Sequence, residues 1–295
     1  MTFDSIATSG PGHAGEIARQ EVERGAELIL VAGGDGTINE AVNGMANSDV
    51  PLGILPAGTA NVLANELGLG NSMERAAAVL PDAVQERIAL GTISSSSQAS
   101  PRYFLMMAGV GLDADIVHSL NPRLKEATGK AAYWIAGFSK VGHRIPEFTV
   151  LANGRKYRAS FALMSRVRNY GGDLEIAPSI SLLDDEFEMV LFEGESSFGF
   201  LKYMLAVVVH QQHGMRGITI VRTRHAVIPA SQDSNIHVQD AKIHIQVDGE
   251  YAGLTPARVE LVPNALTLLV PPSFRARRPV SASVDDAAWT TSPTR

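Results

Sequence analysis

The chain has 295 residues, 45% of them apolar and 19% charged, which excludes a wholly disordered polymer and points to two domains of ordinary size. Lys+Arg 25 against Asp+Glu 31 gives a net charge of −6, so the total offers no broad basic surface for duplex nucleic acid. With no cysteine, disulfides, thiolate zinc sites and cysteine nucleophiles are excluded. Residues Met1–Ser5 have neither a basic n-region nor an apolar h-region, so no secretory signal is expected. The longest apolar runs, Ala131–Phe138 and Tyr203–Val209, fall short of the roughly 20 residues of a bilayer span. A cytoplasmic protein is expected, with peripheral membrane contact left open.

Phe3–Ala7 reads as a short strand. His13–Gly25 places Ala14, Ile17, Ala18 and Val22 at helical spacing and ends on glycine. Leu28–Ala32 is an apolar run followed by glycines, the pattern of a strand buried on both faces. Asn39–Ala46 returns to helix, Pro51–Pro56 is a second buried strand, Ala60–Leu67 and Met73–Leu80 are helical, and Gln85–Leu90 is a strand. This alternation predicts an α/β domain with a Rossmann-like parallel sheet over residues 1–90 and ligands at the carboxyl ends of its strands. Ser94–Ser97 and Pro101 mark a boundary. Strand-like segments then dominate: Arg102–Ala108, Phe148–Ala152, Tyr157–Ser165, Glu188–Glu193, Ile218–Val221, Ile236–Val238, Lys242–Val247, Arg258–Leu261 and Ala265–Val270. Asn153-Gly154 is a hairpin signal, and helical insertions lie at Leu112–Lys140 and Ser197–His213. A mainly antiparallel β-sandwich is expected over 91–272, with a disordered tail over 273–295.

The chemistry concentrates at two glycine turns. Leu28–Ala32 runs into Gly33-Gly34-Asp35-Gly36-Thr37, after which a helix begins. Glycines let a backbone approach a phosphate, and a helix N-terminus offers free N–H groups to an anion. Asp35 at the tip could hold Mg²⁺ or take a proton. Pro56-Ala57-Gly58-Thr59-Ala60-Asn61 repeats the strand–glycine turn–hydroxyl–helix order, and two such turns can line one crevice. No Walker A pattern occurs.

These segments resemble the soluble diacylglycerol-kinase catalytic domain, a family shared by bacterial lipid kinases, sphingosine kinases and ceramide kinases. Thr8–Ala14 is similar to the threonine segment before the first turn. Asn169-Tyr170-Gly171-Gly172 with Ile176-Ala177-Pro178 and Asp184-Asp185 resembles the family's glycine turn and metal loop, and Asp248-Gly249-Glu250 its catalytic segment. The resemblance implies an NAD kinase/diacylglycerol kinase-like fold and an ATP- and Mg²⁺-dependent lipid kinase acting on diacylglycerol or a related lipid, a phospholipid-metabolism activity. It implies that Glu250 accepts the proton, that Asp35 belongs to the catalytic set, and that ATP meets Thr8, Gly33, Gly34, Asp35, Gly36, Thr37, Ile38, Asn39 and Thr59. It implies a second-domain metal at Asp185 and the main-chain oxygens of Leu182 and Phe187.

The partner implied is a lipid at a membrane surface, nucleic acid is not expected, and a homodimer stays open. Family members begin with a further strand and helix carrying an Asn-Pro…Ser-Gly turn, and this chain is expected to start after that unit. Val62, Asp173 and Glu186 also depart from the family pattern. Two rivals remain: a NAD-kinase-like enzyme, and an inactive lipid- or nucleotide-binding protein.

Weaker signals have plainer readings. Gly109–Ala114 fits G-x-G-x-x-A but lacks the second strand and acid of a dinucleotide fold, so a structural turn is expected. His210 and His213 lack a third metal ligand, and Arg275, Arg277 and Arg278 read as a solvated tail. Trp134, Phe138, Phe198, Phe200 and Tyr203 fit either a lipid cleft or core packing.

Overall fold

The computed structural model describes residues 4–98, 100–112, 114–115, 145–170, 174–208, 215–230 and 243–276. Two sheets carry the architecture. In the first, β1 (Ile29–Gly33) pairs in parallel with β2 (Pro51–Pro56), Val31 opposite Ile54. β2 pairs in parallel with the end of β16 (Ala257–Val270), Leu268 opposite Leu52. Beyond that point the pairing is antiparallel, through β13 (His225–Ile228), β6 (Phe148–Ala152) and β7 (Arg155–Ala159). β3 (Val84–Ser95) runs antiparallel along most of β16 and carries β4 (Arg102–Phe104) on its other side. The sheet is therefore mixed, and its parallel part is confined to β1, β2 and β16.

The second sheet is antiparallel throughout, in the order β12 (Ile218–Thr223), β11 (Phe187–Phe192), β8 (Phe161–Ser165), β5 (Met107–Gly111), β14 (His244–Val247) and β15 (Glu250–Leu254). Ile93, Phe104, Val110, Met164, Phe187 and Val259 share one buried cluster contributed by both sheets, and Phe104 stacks on Phe187 at 5.6 Å. This is the expected sandwich. β9 (Asn169–Tyr170) and β10 (Leu174–Glu175) form a small separate ribbon.

Helices α1 (His13–Glu23), α2 (Asp35–Met45), α3 (Val62–Leu67) and α4 (Met73–Val79) accompany the parallel strands. α5 (Ser197–Val208) belongs to the second half, and α6 (Pro272–Arg275) follows β16. Phe200 packs on Phe161 and Phe192 at ring separations of 5.7 and 5.8 Å, and Tyr203 lies 5.2 Å from Phe192, so these two aromatics are core. Phe198 is exposed. No helix among the described residues is long and apolar enough to cross a membrane.

Several departures from the sequence pattern have physical causes. Residues 4–9 form no strand. The run Arg102–Ala108 is split at Leu105-Met106, whose N–H groups turn away to the Asp248 carboxylate. Tyr157–Ser165 is split at Ser160, where the chain passes from the first sheet to the second. The change of composition at Gly91 falls inside β3, which stays paired with β16 as far as Ser95. A Cβ at Gly91 would collide with the ring of Phe104, which explains the glycine. Gly109 and Gly111 lie in β5, paired inside the antiparallel sheet, where a structural turn was expected. Asn153 and Gly154 both take positive φ at the β6–β7 hairpin, as expected. β13 and β15 were not anticipated. The first residues of the expected 273–295 tail are ordered, because Phe274 is buried in α6 and Arg275 pairs with Glu86 at 2.6 Å. Ile236–Val238, Trp134, Phe138, His210, His213, most of the first helical insertion and residues 277–295 lie outside the described residues.

α1 and α2 cross where neither has a side chain. A Cβ at Gly15 would lie 2.8 Å from the Glu40 carbonyl oxygen, and one at Gly44 would overlap the Gly15 carbonyl. Because backbone cannot yield there, Gly44→Ala is expected to destabilise the fold by about 1–3 kcal/mol in a urea titration. An unchanged midpoint would show that the helices separate freely.

Candidate active site

The two glycine turns touch. The Ala57 N–H donates to the Gly33 carbonyl at 3.0 Å, and a Cβ at Gly58 would lie 2.5 Å from the Gly34 Cα. This closeness follows from β1 and β2 being parallel neighbours that end side by side. Asp35 is the first residue of α2, and its carboxylate accepts from the N–H groups of Val62 and Leu63 at 3.1 and 3.2 Å. It therefore caps α3 and braces the first turn against the second. Asn61, at φ 47, both accepts from and donates to the Gly58 backbone at 2.9 Å, which fixes the second turn. Glu40 accepts from Gly12 N–H at 2.7 Å and Ala14 N–H at 3.2 Å, tying the 8–14 segment to α2.

The remaining predicted phosphate contacts differ in exposure. Thr8 and Thr59 are exposed, while Gly33, Gly34, Gly36 and Thr37 are partly buried around the N-terminus of α2. Ile38 and Asn39 are buried, with Asn39 at 1% exposure, so their side chains face the protein interior.

Asn39 leads to a polar network that joins the two halves of the chain. Its Nδ2 donates to Asp248 Oδ2 at 2.6 Å, and its Oδ1 accepts from Arg102 Nη2 at 3.0 Å. Arg102 also forms an ion pair with Glu250 Oε2. The other carboxylate oxygen, Oε1, lies 2.8 Å from where a Gly36 Cβ would stand. Glu250, predicted from the second half, thus reaches the first glycine turn over more than 200 residues of chain.

Asp248, at φ 48 in the tight turn between β14 and β15, is buried. Its carboxylate accepts from Leu105, Met106 and Met107 N–H at 2.9, 3.0 and 2.8 Å as well as from Asn39. Burial raises its pKa to about 6 and the Asp35 charge adds to that rise, while the three backbone N–H groups oppose it.

The predicted metal loop is differently furnished. Leu182 and Phe187 are buried and Asp185 is exposed. The Leu182 carbonyl accepts from Arg166 Nη2 at 2.7 Å, and the Asp184 carbonyl accepts from Nη1 at 3.3 Å. Arg222 pairs with Asp184 at 3.0 Å, and Arg224 Nε donates to the Asp185 carbonyl at 3.0 Å. Among the described residues no group of three or more His, Cys, Asp or Glu side chains is arranged to hold a metal ion. Three arginines, Arg166, Arg222 and Arg224, thus meet this loop.

Arg102, Asn43 and Arg166 were missed from the sequence. Asn43 stands four residues after Asn39, and its amide exchanges hydrogen bonds with the Tyr103 backbone at 2.9 Å in each direction. The repeated asparagine on one helix face was a legible signal. Arg102 and Arg166 carried none, because their partners are remote in sequence.

Residues 1–93 match the family model described as the diacylglycerol kinase catalytic domain, and residues 107–270 match the YegS C-terminal NAD kinase beta sandwich-like domain. A diacylglycerol kinase of Bacillus subtilis is 28% identical over 256 residues, 85% of this chain and 80% of that protein. A diacylglycerol kinase of Mycobacterium tuberculosis is 28% identical over 255 residues, with 85% and 79% covered. A crystal structure of a diacylglycerol kinase from Bacillus anthracis superposes with a TM-score of 0.70 at 20% identity, over 91% of this chain and 85% of that one, and so shares the fold. The second family match alone spans more than half of the residues, and with both in order along the sequence the chain belongs to the diacylglycerol kinase catalytic-domain family, with the β-sandwich-like second domain.

Proposed function

We propose that this protein is an ATP-dependent lipid kinase that transfers the γ-phosphoryl group to a primary hydroxyl of diacylglycerol or a closely related lipid. The observation that supports it most is the meeting of Glu250 with Gly36, which sets a carboxylate from the second half beside a glycine turn suited to phosphate. In this reading the nucleotide's phosphates lie along Gly33–Gly36 and the first turn of α2, with the hydroxyls of Thr8, Thr37 and Thr59 at the rim. Mg²⁺ enters with ATP as part of the substrate and spreads the phosphate charge. Glu250 takes the proton of the lipid hydroxyl as its oxygen bonds to the γ-phosphorus. The bridging P–O bond breaks and ADP departs. Arg102 holds one oxygen of Glu250, and Asp35 keeps the two turns in register.

The two carboxylates should separate experimentally. Glu250→Gln is expected to lower kcat by about 10²- to 10⁴-fold with little change in Tm. Wild-type turnover in that variant would remove Glu250 from the reaction. Asp35→Ala is expected to lower turnover and also to cost roughly 1 kcal/mol of stability, because α3 loses its cap. Isothermal titration of Mg-ATP into the full chain should give saturable binding, and none, from folded protein, would favour an inactive binding protein. With radiolabelled ATP and mixed micelles of diacylglycerol, label should enter the lipid phase. Label recovered in NADP instead would overturn the lipid assignment.

A further inference from the structure

Arg166 is fully buried, yet the phosphoryl-transfer reading gives it no task. It lies just past β8, where its own N–H donates to the Met106 carbonyl at 2.8 Å. That places it beneath the kinked segment whose N–H groups hold Asp248. From there the guanidinium spans the inside of the 181–186 loop, donating to the main-chain oxygens of Leu182 and Asp184 at 2.7 and 3.3 Å. Nε has no acceptor among the described residues. The side chain is therefore held by those two carbonyls and by negative charge around it. Burial lowers its pKa to about 10, and the charges of Asp185, Asp184 and Asp248 oppose that fall, so the group stays cationic at neutral pH.

A divalent ion would use the same kind of ligands: loop carbonyls and a carboxylate from the Asp184-Asp185 pair. Here one of the carbonyls the family resemblance assigns to the metal, that of Leu182, already receives a positively charged donor. The rest of the loop is met from outside by Arg222, bonded to Asp184, and by Arg224, bonded to the Asp185 carbonyl. A second cation placed among three guanidinium groups would be repelled by each.

We propose that Arg166 is the resident cation of the 181–186 loop, fixing its main chain and balancing the acids around it, and that this loop holds no divalent metal. This goes beyond the lipid-kinase reading and does not depend on it, since the test needs no turnover.

The experiment counts Mn²⁺ on the nucleotide-free full chain by electron paramagnetic resonance and measures Tm in EDTA and in millimolar Mg²⁺. Expected for the wild type are no saturable Mn²⁺ site up to millimolar concentration and the same Tm in both solutions. Arg166→Met is expected to lower Tm by several degrees, since the Leu182 and Asp184 carbonyls lose their donor and the acids lose their counter-charge. Arg166→Lys should recover part of that loss. One Mn²⁺ bound per wild-type chain, abolished by Asp185→Asn, would overturn the proposal. So would a wild-type Tm that rises saturably with Mg²⁺. Both overturning results come from protein with Arg166 intact, so they stand even if the methionine variant does not fold.

Discussion

One buried carboxylate holds the two halves of this molecule in register. Asp248 receives three consecutive backbone N–H groups from Leu105, Met106 and Met107 and the amide of Asn39, bringing together the β14–β15 turn, the break between β4 and β5, and the helix after the first glycine turn. Burying a carboxylate costs several kcal/mol unless its lone pairs are filled, and here four donors fill them. The consequence is positional. Glu250 stands two residues beyond Asp248, so whatever fixes Asp248 against α2 also fixes Glu250 over Gly36.

The acids of the first half work in a similar way. Asp35 caps α3 and Glu40 accepts from Gly12 and Ala14 at the start of α1. Each satisfies N–H groups that a helix start would otherwise leave open, and each joins one element to another. The glycine turn that reads as a phosphate cradle is thus also a junction, rigid because its neighbours are stapled to it. A substitution at Asp35 consequently acts on structure as well as on chemistry.

What the sequence disclosed follows from the range of the forces involved. β1, β2 and the α1 and α2 helices were legible because apolar runs, helical spacing and punctuating glycines are local. The meeting of the two glycine turns was also foreseeable, since parallel strands end on the same side. The split of Arg102–Ala108 was not. After Arg102 the segment is apolar and strand-like, and it breaks only because its N–H groups find a carboxylate 141 to 143 residues away. The single long β16 read as two strands, Arg258–Leu261 and Ala265–Val270, yet between them Asn264 takes φ 51 within a bulge and the pairing with β3 continues past it. At the site, the family pattern supplied Glu250 and the glycines, whereas Arg102 and Arg166 act through partners that no local pattern reveals.

The division of Glu250 between its two neighbours bears on how the proposed transfer could be directed. Oε2 is held by Arg102, which is itself held by Asn39, so that oxygen is tied to the same helix that begins at the glycine turn. Oε1 faces Gly36, where any side chain would intrude. A carboxylate anchored through one oxygen and presenting the other to the turn has lost most of its rotational freedom before a substrate arrives, which is the entropic part of general-base catalysis. Glycine at 36 and arginine at 102 are then two halves of one requirement: the first keeps space open on the reacting side, and the second keeps the carboxylate from turning away from it.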